Sequence, residues 1–312
     1  MATRAARGEA LAQPRWNARR REMVAGYLFL SPWILGFILF VAGPILASAY
    51  FSLTAYDVAR PPRWVGLQNY VDAFTSDDRF LPSLQLTFTY AIVSVPLALF
   101  GSLLLAILLN QRLRGTRLYR TFFFLPSLTP AVATAILWTW LLQPDVGLVN
   151  YILSLVGVRG PKWLGSTEWA MPSLIAIALW TGIGGNRMMI FLAGLQGVSQ
   201  ELYDAAEVDG AGTLARFRHI TLPMISPTMF FNLVLGVIGA LKVFTVAFIA
   251  TSGGPAFATW FLAYHIYQEA FQYFRMGYGS ALAWIFVITL LIFTFLQMRL
   301  SKRFVYYAAE AD

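Results

Sequence analysis

The chain has 312 residues, of which 58% are hydrophobic and only 12% are charged, and its formal net charge is +8. With a mean hydropathy of +0.62, it is too apolar for a soluble globular domain, in which about half of the residues are apolar and about a quarter are charged. It has no cysteine and two histidines, which excludes disulfides, thiolate metal sites and a histidine-rich metal site.

The apolar residues fall into six segments, each about as long as the roughly 20 residues that a helix needs to cross a bilayer. These segments lack the strict alternation of polar and apolar residues that is typical of barrel strands. We therefore predict an all-α integral membrane protein with six transmembrane helices. The predicted spans are Val24–Leu46, Leu84–Leu109, Phe122–Leu142, Met171–Leu192, Met229–Ala250 and Ala281–Gln297.

The first span raises the question of a cleaved signal peptide. The sequence ILASAY, residues 45–50, resembles a signal-peptidase site behind a basic and apolar start. The apolar stretch is longer than the roughly 7–15 apolar residues of a signal peptide. It also contains Pro32, Gly36 and Pro44, and transmembrane helices tolerate proline and glycine at such positions. We predict that this helix is retained.

Lysine and arginine are concentrated on one set of flanks, which the positive-inside rule assigns to the cytoplasm. They are Arg4, Arg7, Arg15, Arg19, Arg20 and Arg21 before the first span, Arg112, Arg114, Arg117 and Arg120 between the second and third, and Arg299, Lys302 and Arg303 after the last. On the other flanks, basic and acidic residues balance. We therefore predict that both termini are cytoplasmic, and that the net charge reflects membrane topology rather than nucleic-acid binding.

A polar segment, SQELYDAAEVDGAGTLARFRHITLPMISP, separates the fourth and fifth spans at residues 199–227. Ser199 suits a helix N-cap, and Glu201 and Asp204 lie where the helix dipole favours negative charge. The pattern predicts a helix over Gln200–Asp209 that ends at Gly210.

A second short helix is predicted at about Thr213–His219, ending before Pro223. On the first helix, one face carries Leu202, Ala205, Ala206 and Asp209 by their three- and four-residue spacing. The acidic residues of this helix would be repelled by an anionic membrane surface. We therefore predict a helix-turn-helix that docks on a protein partner rather than on lipid.

The chain has no nucleotide-binding loop of its own. A P-loop needs a glycine directly before its lysine, whereas the three lysines follow Pro161, Leu241 and Ser301. Any energy from ATP must therefore come from another chain.

The sequence DAAEVDGAGTLARFRHITLP resembles the cytoplasmic EAA loop of the membrane subunits of binding-protein-dependent ABC importers. The family pattern has a Glu-Ala-Ala triplet, a glycine four residues later, and Ile-x-Leu-Pro ten residues beyond that glycine. This sequence departs from the pattern by having Asp204 in place of glutamate. The resemblance implies that the ATPase-coupling residues are Glu201, Asp204, Ala205, Ala206, Gly210, Ile220, Leu222 and Pro223.

Further stretches are similar to the carbohydrate-importing branch of that family, and specifically to maltose-transporter-like first permease subunits. They are VGLQNY outside the first span, LAGLQGVSQELYDAAEVDGA, TSGGP after the fifth span and GYGSALAW at the start of the sixth. Together the similarity covers about nine-tenths of the chain. It implies a permease subunit that translocates a carbohydrate.

The resemblance also implies an architecture and a set of partners. The fold would be that of a type I ABC importer, with a basic tail (1–23), a six-helix permease domain (24–300) that includes the coupling loop (199–223), and a C-terminal tail (301–312). The partners would be a second homologous permease, a cytoplasmic ATPase dimer and an extracytoplasmic sugar-binding protein. ATP and Mg would bind the ATPase, with no cofactor in this chain, and the location would be the cytoplasmic membrane of a bacterium or archaeon.

Charges within the spans are candidates for function because each costs roughly 2.5–3.5 kcal/mol at the bilayer centre on insertion scales. There are two, Arg187 and Lys242. By analogy with the family, substrate contacts come from the middle of the fourth and fifth spans, so the candidates are Trp180, Asn186, Arg187, Gly236, Gly239, Ala240 and Lys242. Snorkelling of Arg187 to headgroups, and helix packing by the small residues, are the alternatives.

Two other functions stay open. The first is import of a polyol or a glycerol-phosphate-like solute, whose anionic form would give Arg187 and Lys242 a stronger role. The second is ion-coupled secondary transport, which would need an intramembrane acid or an unwound ion site. The six predicted spans contain no Asp or Glu, which disfavours the second.

Overall fold

A computed structural model describes residues 15–111 and 114–306. Arg4, Arg7 and Arg112, and much of the two predicted tails, lie outside the described residues.

Within the described part the chain is almost entirely helical, as predicted. The helices are α1 (Arg15–Phe37), α2 (Gly43–Ser52), α3 (Gln68–Thr75), α4 (Phe80–Asn110), α5 (Thr116–Leu128), α6 (Ala131–Leu141), α7 (Leu148–Leu155), α8 (Ala170–Gly182), α9 (Gly185–Gln196), α10 (Gln200–Val208), α11 (Thr213–Arg216), α12 (Leu222–Met224), α13 (Ser226–Leu241), α14 (Thr245–Ala250), α15 (Leu262–Tyr267) and α16 (Met276–Phe304). Two short antiparallel strands, β1 (Thr54–Ala55) and β2 (Arg63–Trp64), pair after α2. Single π-helical turns lie at Ile38–Ala42, Phe217–Thr221 and Gln268–Gln272.

Four helices are long and apolar enough to cross a membrane, and two bent helix pairs bring the number to six when each pair is one span. The long helices are Arg19–Ser52, Phe80–Asn110, Ser226–Ala250 and Met276–Lys302. The bent pairs are α5 with α6, at 95°, and α8 with α9, at 51°. The six-span, all-α prediction is therefore confirmed in outline.

The third and fourth spans are broken, which the apolar runs did not predict. In the third, Thr129 precedes Pro130 and is extended, with ψ of 129°, because proline disfavours the helical conformation of the residue before it. In the fourth, Gly185 has φ of +63°, a conformation that glycine adopts without strain. A Cβ at Gly184 would collide with the carbonyl oxygen of Phe123, and one at Gly185 with the side chain of Ser127, so the break in the fourth span packs against α5.

The helix α4 is the centre of the fold, because it packs against α8, α9, α13 and α15. One apolar cluster joins α4, α9 and the start of α13 at the end nearest residues 199–223, and its members are Leu103, Leu105, Ala106, Leu109, Met188, Phe191, Leu192, Leu195 and Ile225. A second cluster centres on Tyr90, Leu174 and Phe261, and a third on Phe80, Leu262 and Leu282 at the opposite end. By contrast, the most apolar part of the first span is not buried by the described residues.

Candidate functional site

The predicted helix-turn-helix, called here the 199–223 hairpin, is formed by α10, α11 and the turns that follow. The Ser199 hydroxyl accepts a hydrogen bond from the backbone N–H of Glu201 at 3.3 Å, which confirms the predicted N-cap. The helix ends one residue earlier than predicted, at Val208. Gly210 then adopts φ of +75°, and the N–H of Ala211 donates to the carbonyl of Ala206 at 2.8 Å. This is the Schellman ending that glycine favours.

Two side-chain contacts fix the arms of the 199–223 hairpin to each other. Arg216 on α11 forms an ion pair with Glu207 on α10, with Nη1 and Oε2 2.9 Å apart. The hydroxyl of Tyr203 lies 2.9 Å from that of Thr221. The hairpin is therefore braced both near its tip and near its base.

The second arm is longer than predicted and does not end before Pro223. Helical turns run from Thr213 through a π turn at Phe217–Thr221 and on to Met224. The π turn closes with a hydrogen bond from the N–H of Leu222 to the carbonyl of Phe217. Pro223 follows at the first turn of α12, where a missing N–H costs nothing.

The outer surface of the 199–223 hairpin is partly apolar. Leu202, on the predicted docking face, is 41% exposed, but Val208 and Leu214 on either side of the turn are 88% and 78% exposed. Sequence reasoning missed these two residues. The feature that could have identified them is an apolar side chain next to the polar Asp-Gly-Ala-Gly turn. No part of the chain that the structure describes covers either side chain.

The residues implied by the family pattern divide by position. Glu201, Asp204 and Ala205 are exposed on α10, and Ala206 is half-buried. The Asp204 carboxylate accepts a hydrogen bond from the Gln200 amide at 3.0 Å. Ile220, Leu222 and Pro223 are half-buried at the base, and Leu222 packs on the apolar cluster that joins α4, α9 and α13. The base of the 199–223 hairpin is thereby joined to the packed spans.

Arg187 lies just after the break in the fourth span. Its Nη1 donates to the carbonyl of Gly182 at 3.3 Å, and the Ser102 hydroxyl donates to the same carbonyl at 3.3 Å. A cation is favourable at this helix end, where free carbonyls carry negative partial charge. Arg187 is half-buried, and its guanidinium bonds to the backbone of the preceding helix.

A cavity of about 190 Å³, called here the Arg187 cavity, lies between the second, fourth and fifth spans. It is lined by Tyr90, Ser94, Val95, Ala98, Ala178, Leu179, Gly182, Arg187, Leu235, Gly236, Gly239 and Ala240. Four of the predicted substrate-path residues are thus brought together. A Cβ at Gly236 would lie 3.4 Å from Nη2 of Arg187, whereas one at Gly239 would meet nothing within 4 Å.

The other three predicted path residues lie outside this cavity lining. Asn186 is exposed. Trp180 is 40% exposed and packs edge-on against Trp138, with ring centroids 5.6 Å apart. Lys242 is exposed where α13 ends, and within the described residues it has no ion-pair partner.

A polar group that sequence reasoning missed, called here the Asp77 cluster, consists of Asp77, Trp260, His265 and Tyr278. Asp77 precedes α4, Trp260 and His265 belong to the 251–275 segment, and Tyr278 opens α16. Asp77 Oδ2 accepts hydrogen bonds from His265 Nε2 at 2.8 Å and from the Tyr278 hydroxyl at 2.5 Å. Trp260 Nε1 donates to His265 Nδ1 at 3.1 Å. Because Nδ1 accepts, Nε2 is the protonated nitrogen of the ring.

Burial raises the pKa of Asp77, but hydrogen bonds from Tyr278, the Arg79 amide and His265 outweigh that effect, so its pKa lies below the ordinary value. Asp77, His265 and Glu269 offer ligand atoms within 4.8 Å of one another, close enough for a metal ion. Yet both ring nitrogens of His265 are already hydrogen-bonded, and Glu269 pairs with Arg275. Asp77, Trp260, His265 and Tyr278 therefore form a hydrogen-bond network, and Glu269 belongs to a separate ion pair.

Comparisons with known proteins agree with this architecture. Residues 94–306 match the family model described as "Binding-protein-dependent transport system inner membrane component". The chain is 39% identical to the probable ABC transporter permease protein YesP of Bacillus subtilis, over 94% of this chain and 95% of that protein. It is 32% identical to the trehalose/maltose transport system permease protein MalF of Thermococcus litoralis, over 90% of this chain and 95% of that protein.

A solved structure of a bacterial ABC transporter involved in the import of the acidic polysaccharide alginate is also similar. One of its chains superposes with a TM-score of 0.81 at 25% identity, covering 93% of this chain and 99% of that one.

Proposed function

The chain belongs to the family of binding-protein-dependent transport system inner membrane components, and from that premise we propose that it is the permease subunit of an ABC importer for a carbohydrate. The braced 199–223 hairpin is the observation that carries this proposal. It combines the family's coupling pattern with an exposed apolar tip and a base embedded in the packed spans.

The 199–223 hairpin is the docking element for a cytoplasmic ATPase. Val208 and Leu214 supply apolar contact, and the exposed carboxylates of Glu201 and Asp204 supply charge for basic groups on the ATPase. The ATPase binds and hydrolyses ATP with Mg, while this chain supplies no catalytic group. Both termini and the hairpin then lie in the cytoplasm, as the distribution of Lys and Arg predicts.

Transport follows from rigid-body motion. When ATP closes the ATPase dimer, the hairpin moves with it, and its base moves the packed helices α4, α9 and α13. A second, homologous permease moves in the opposite sense, so that the path between the two subunits opens alternately to each side of the membrane. A binding protein delivers the carbohydrate at the end of the molecule that carries the Asp77 cluster.

The carbohydrate passes along the fourth and fifth spans. The Arg187 cavity, with Gly236, Gly239 and Ala240, is the contact site in this chain. Trp180, Asn186 and Lys242 lie outside it and face the side left for the second permease.

The test is uptake by the complete importer in proteoliposomes. ATP enclosed in the proteoliposomes, on the same side as the ATPase, should drive accumulation of saccharide. An imposed proton or sodium gradient without ATP should not. Accumulation driven by the gradient alone would instead support a secondary transporter.

A further inference from the structure

The polar groups that line the Arg187 cavity come from three spans. Tyr90 and Ser94 enter from α4, Arg187 from α9, and the Gly182 carbonyl from the end of α8. At about 1.5 Å of rise per residue, Tyr90 and Ser94 lie about 15–21 Å along α4 from its first residue. The cavity therefore lies well inside the membrane. Both side chains are at least 95% buried in the chain.

Arg187 is the group in this lining that only donates hydrogen bonds, whereas the hydroxyls of Tyr90 and Ser94 both donate and accept. Arg187 carries five N–H groups, of which one bonds the Gly182 carbonyl. In the ranges 15–111 and 114–306, the hydroxyls of Tyr90 and Ser94 have no hydrogen-bond partner. The Gly182 carbonyl accepts a bond from Arg187 at 3.3 Å, and the Ser102 hydroxyl, whose shorter bond goes to the Ala98 carbonyl at 2.6 Å, also lies 3.3 Å from it.

The charge of Arg187 is also not balanced within the described chain. No Asp or Glu lines the cavity, and none of the described ion pairs includes Arg187. Gly236 leaves the Nη2 edge open, because a Cβ there would lie 3.4 Å from that atom. The guanidinium therefore presents a free edge to the cavity.

A neutral sugar would leave the charge of Arg187 unbalanced. The hydroxyls of Tyr90 and Ser94 can donate to or accept from any solute, but the guanidinium only donates, and only an anion neutralises it. A carboxylate only accepts, and a guanidinium binds it through two parallel N–H···O bonds. The cost of an unpaired charge in the membrane falls when such a partner arrives.

We propose that the transported saccharide carries a carboxylate, and that Arg187 binds this group in the Arg187 cavity with Tyr90 and Ser94 as further donors. The cavity is smaller than the roughly 300–1,000 Å³ of a drug-sized site, so it takes one acidic unit of the solute. A phosphate ester presents the same oxyanion chemistry and is separated from a carboxylate by the experiment. The inference rests on the proposed function, since it names the class of the imported solute.

The experiment measures ATP-driven uptake by the complete importer in proteoliposomes. The probes are a panel of uronate-containing di- and trisaccharides, their carboxyl-reduced neutral counterparts, and glycerol 3-phosphate. We expect uptake of at least one uronate and less uptake of its neutral counterpart. Arg187→Gln should lower uronate uptake roughly ten- to hundredfold, which is the effect of losing charged hydrogen bonds, and Arg187→Lys should restore part of it.

Two further variants separate recognition from folding. Tyr90→Phe removes only a hydroxyl and should raise the KM for the uronate while leaving the unfolding temperature unchanged. Arg159→Gln, which removes an exposed arginine that does not line the cavity, should leave uptake unchanged.

The outcomes are distinguishable. Equal or better uptake of a neutral counterpart, or uronate uptake that is insensitive to Arg187→Gln, would overturn the carboxylate proposal and leave the importer assignment standing. Uptake of glycerol 3-phosphate alone would replace the carboxylate by a phosphate. Failure to import any member of the panel would count against the carbohydrate assignment itself.

Discussion

His265 Nε2 lies 2.8 Å from Asp77 Oδ2, although 188 residues separate the two in the chain. With Trp260 and Tyr278, this contact ties the segment before the second span to the segment between the fifth and sixth. The Asp77 cluster thus joins segments that are distant in the sequence, at the end of the molecule opposite the 199–223 hairpin.

The first prediction concerns the stability that Asp77 supplies. Asp77→Asn should destabilise the protein by about 2 kcal/mol, because the hydrogen bonds from His265 and Tyr278 lose their charged acceptor. Asp78→Asn is the control, since Asp78 is exposed and makes no contact of this kind among the described residues. Thermal unfolding in detergent gives the unfolding midpoint of each variant. Equal midpoints for the two variants would contradict a stabilising role for the Asp77 cluster.

The same carboxylate predicts a pH dependence. The folded-state pKa of Asp77 is lowered, so its contribution is fully present above the ordinary carboxyl pKa of about 4 and is lost as pH falls through the lowered folded-state value. The difference in unfolding midpoint between wild type and Asp77→Asn should therefore be constant from pH 7 down to about pH 5 and shrink below pH 4. A difference that grows on acidification has the wrong sign for this account.

The exposed tip of the 199–223 hairpin gives a prediction about ATPase binding. Val208→Asp and Leu214→Asp should each weaken co-purification of the ATPase tenfold or more, roughly the effect of removing an apolar anchor from an interface. Val146→Asp is the matched control, because Val146 is 86% exposed, close to the 88% of Val208, but lies in a different loop. If all three variants retain the ATPase equally, the tip is not part of the interface.

Ala206 lies on the predicted docking face of α10 and is half-buried. Ala206→Trp should leave expression intact but prevent the ATPase from seating, so that uptake falls. Because α10 lies at the surface, insertion into the membrane should not suffer. Recovery of a normal amount of ATPase with this variant would remove Ala206 from the docking face.

Asp204 occupies the position of the family glutamate and is exposed. If it pairs with a basic group on the ATPase, Asp204→Asn should lower sugar-stimulated ATP hydrolysis, and Asp204→Glu should be tolerated because it keeps the charge. Gln200→Ala, which removes only the amide that bonds Asp204, serves as the control. Unchanged hydrolysis in the asparagine variant would exclude the pairing.

Whether a structural feature can be predicted from the sequence depends on how far apart in the chain the interacting residues lie. The Ser199 cap and the six spans follow from neighbouring residues, since dipole, capping and hydropathy act over one or two turns. The Asp77–His265 contact cannot be predicted in this way, because no residue near either partner in the sequence indicates an interaction 188 positions away. The break at Gly185 was likewise missed, since a glycine within an apolar run is also compatible with an unbroken helix.

The last prediction places Lys242 on the water-filled path rather than against lipid. Lys242 is exposed at the point where α13 ends, and within the described residues it has no ion-pair partner. A lipid-facing charge at that depth would cost roughly 2.5–3.5 kcal/mol on insertion scales. Because the natural chain has no cysteine, Lys242→Cys creates a single thiol, which a membrane-impermeant reagent added from the binding-protein side should label in the ATP-trapped importer. Bound solute should slow that labelling. Phe231→Cys, at an apolar position of the same helix that is 52% exposed and does not line the Arg187 cavity, serves as the comparison for reagent access. A thiol at position 242 that stays unlabelled in every state, in a variant with normal uptake, would place Lys242 in a packed interface and remove it from the path.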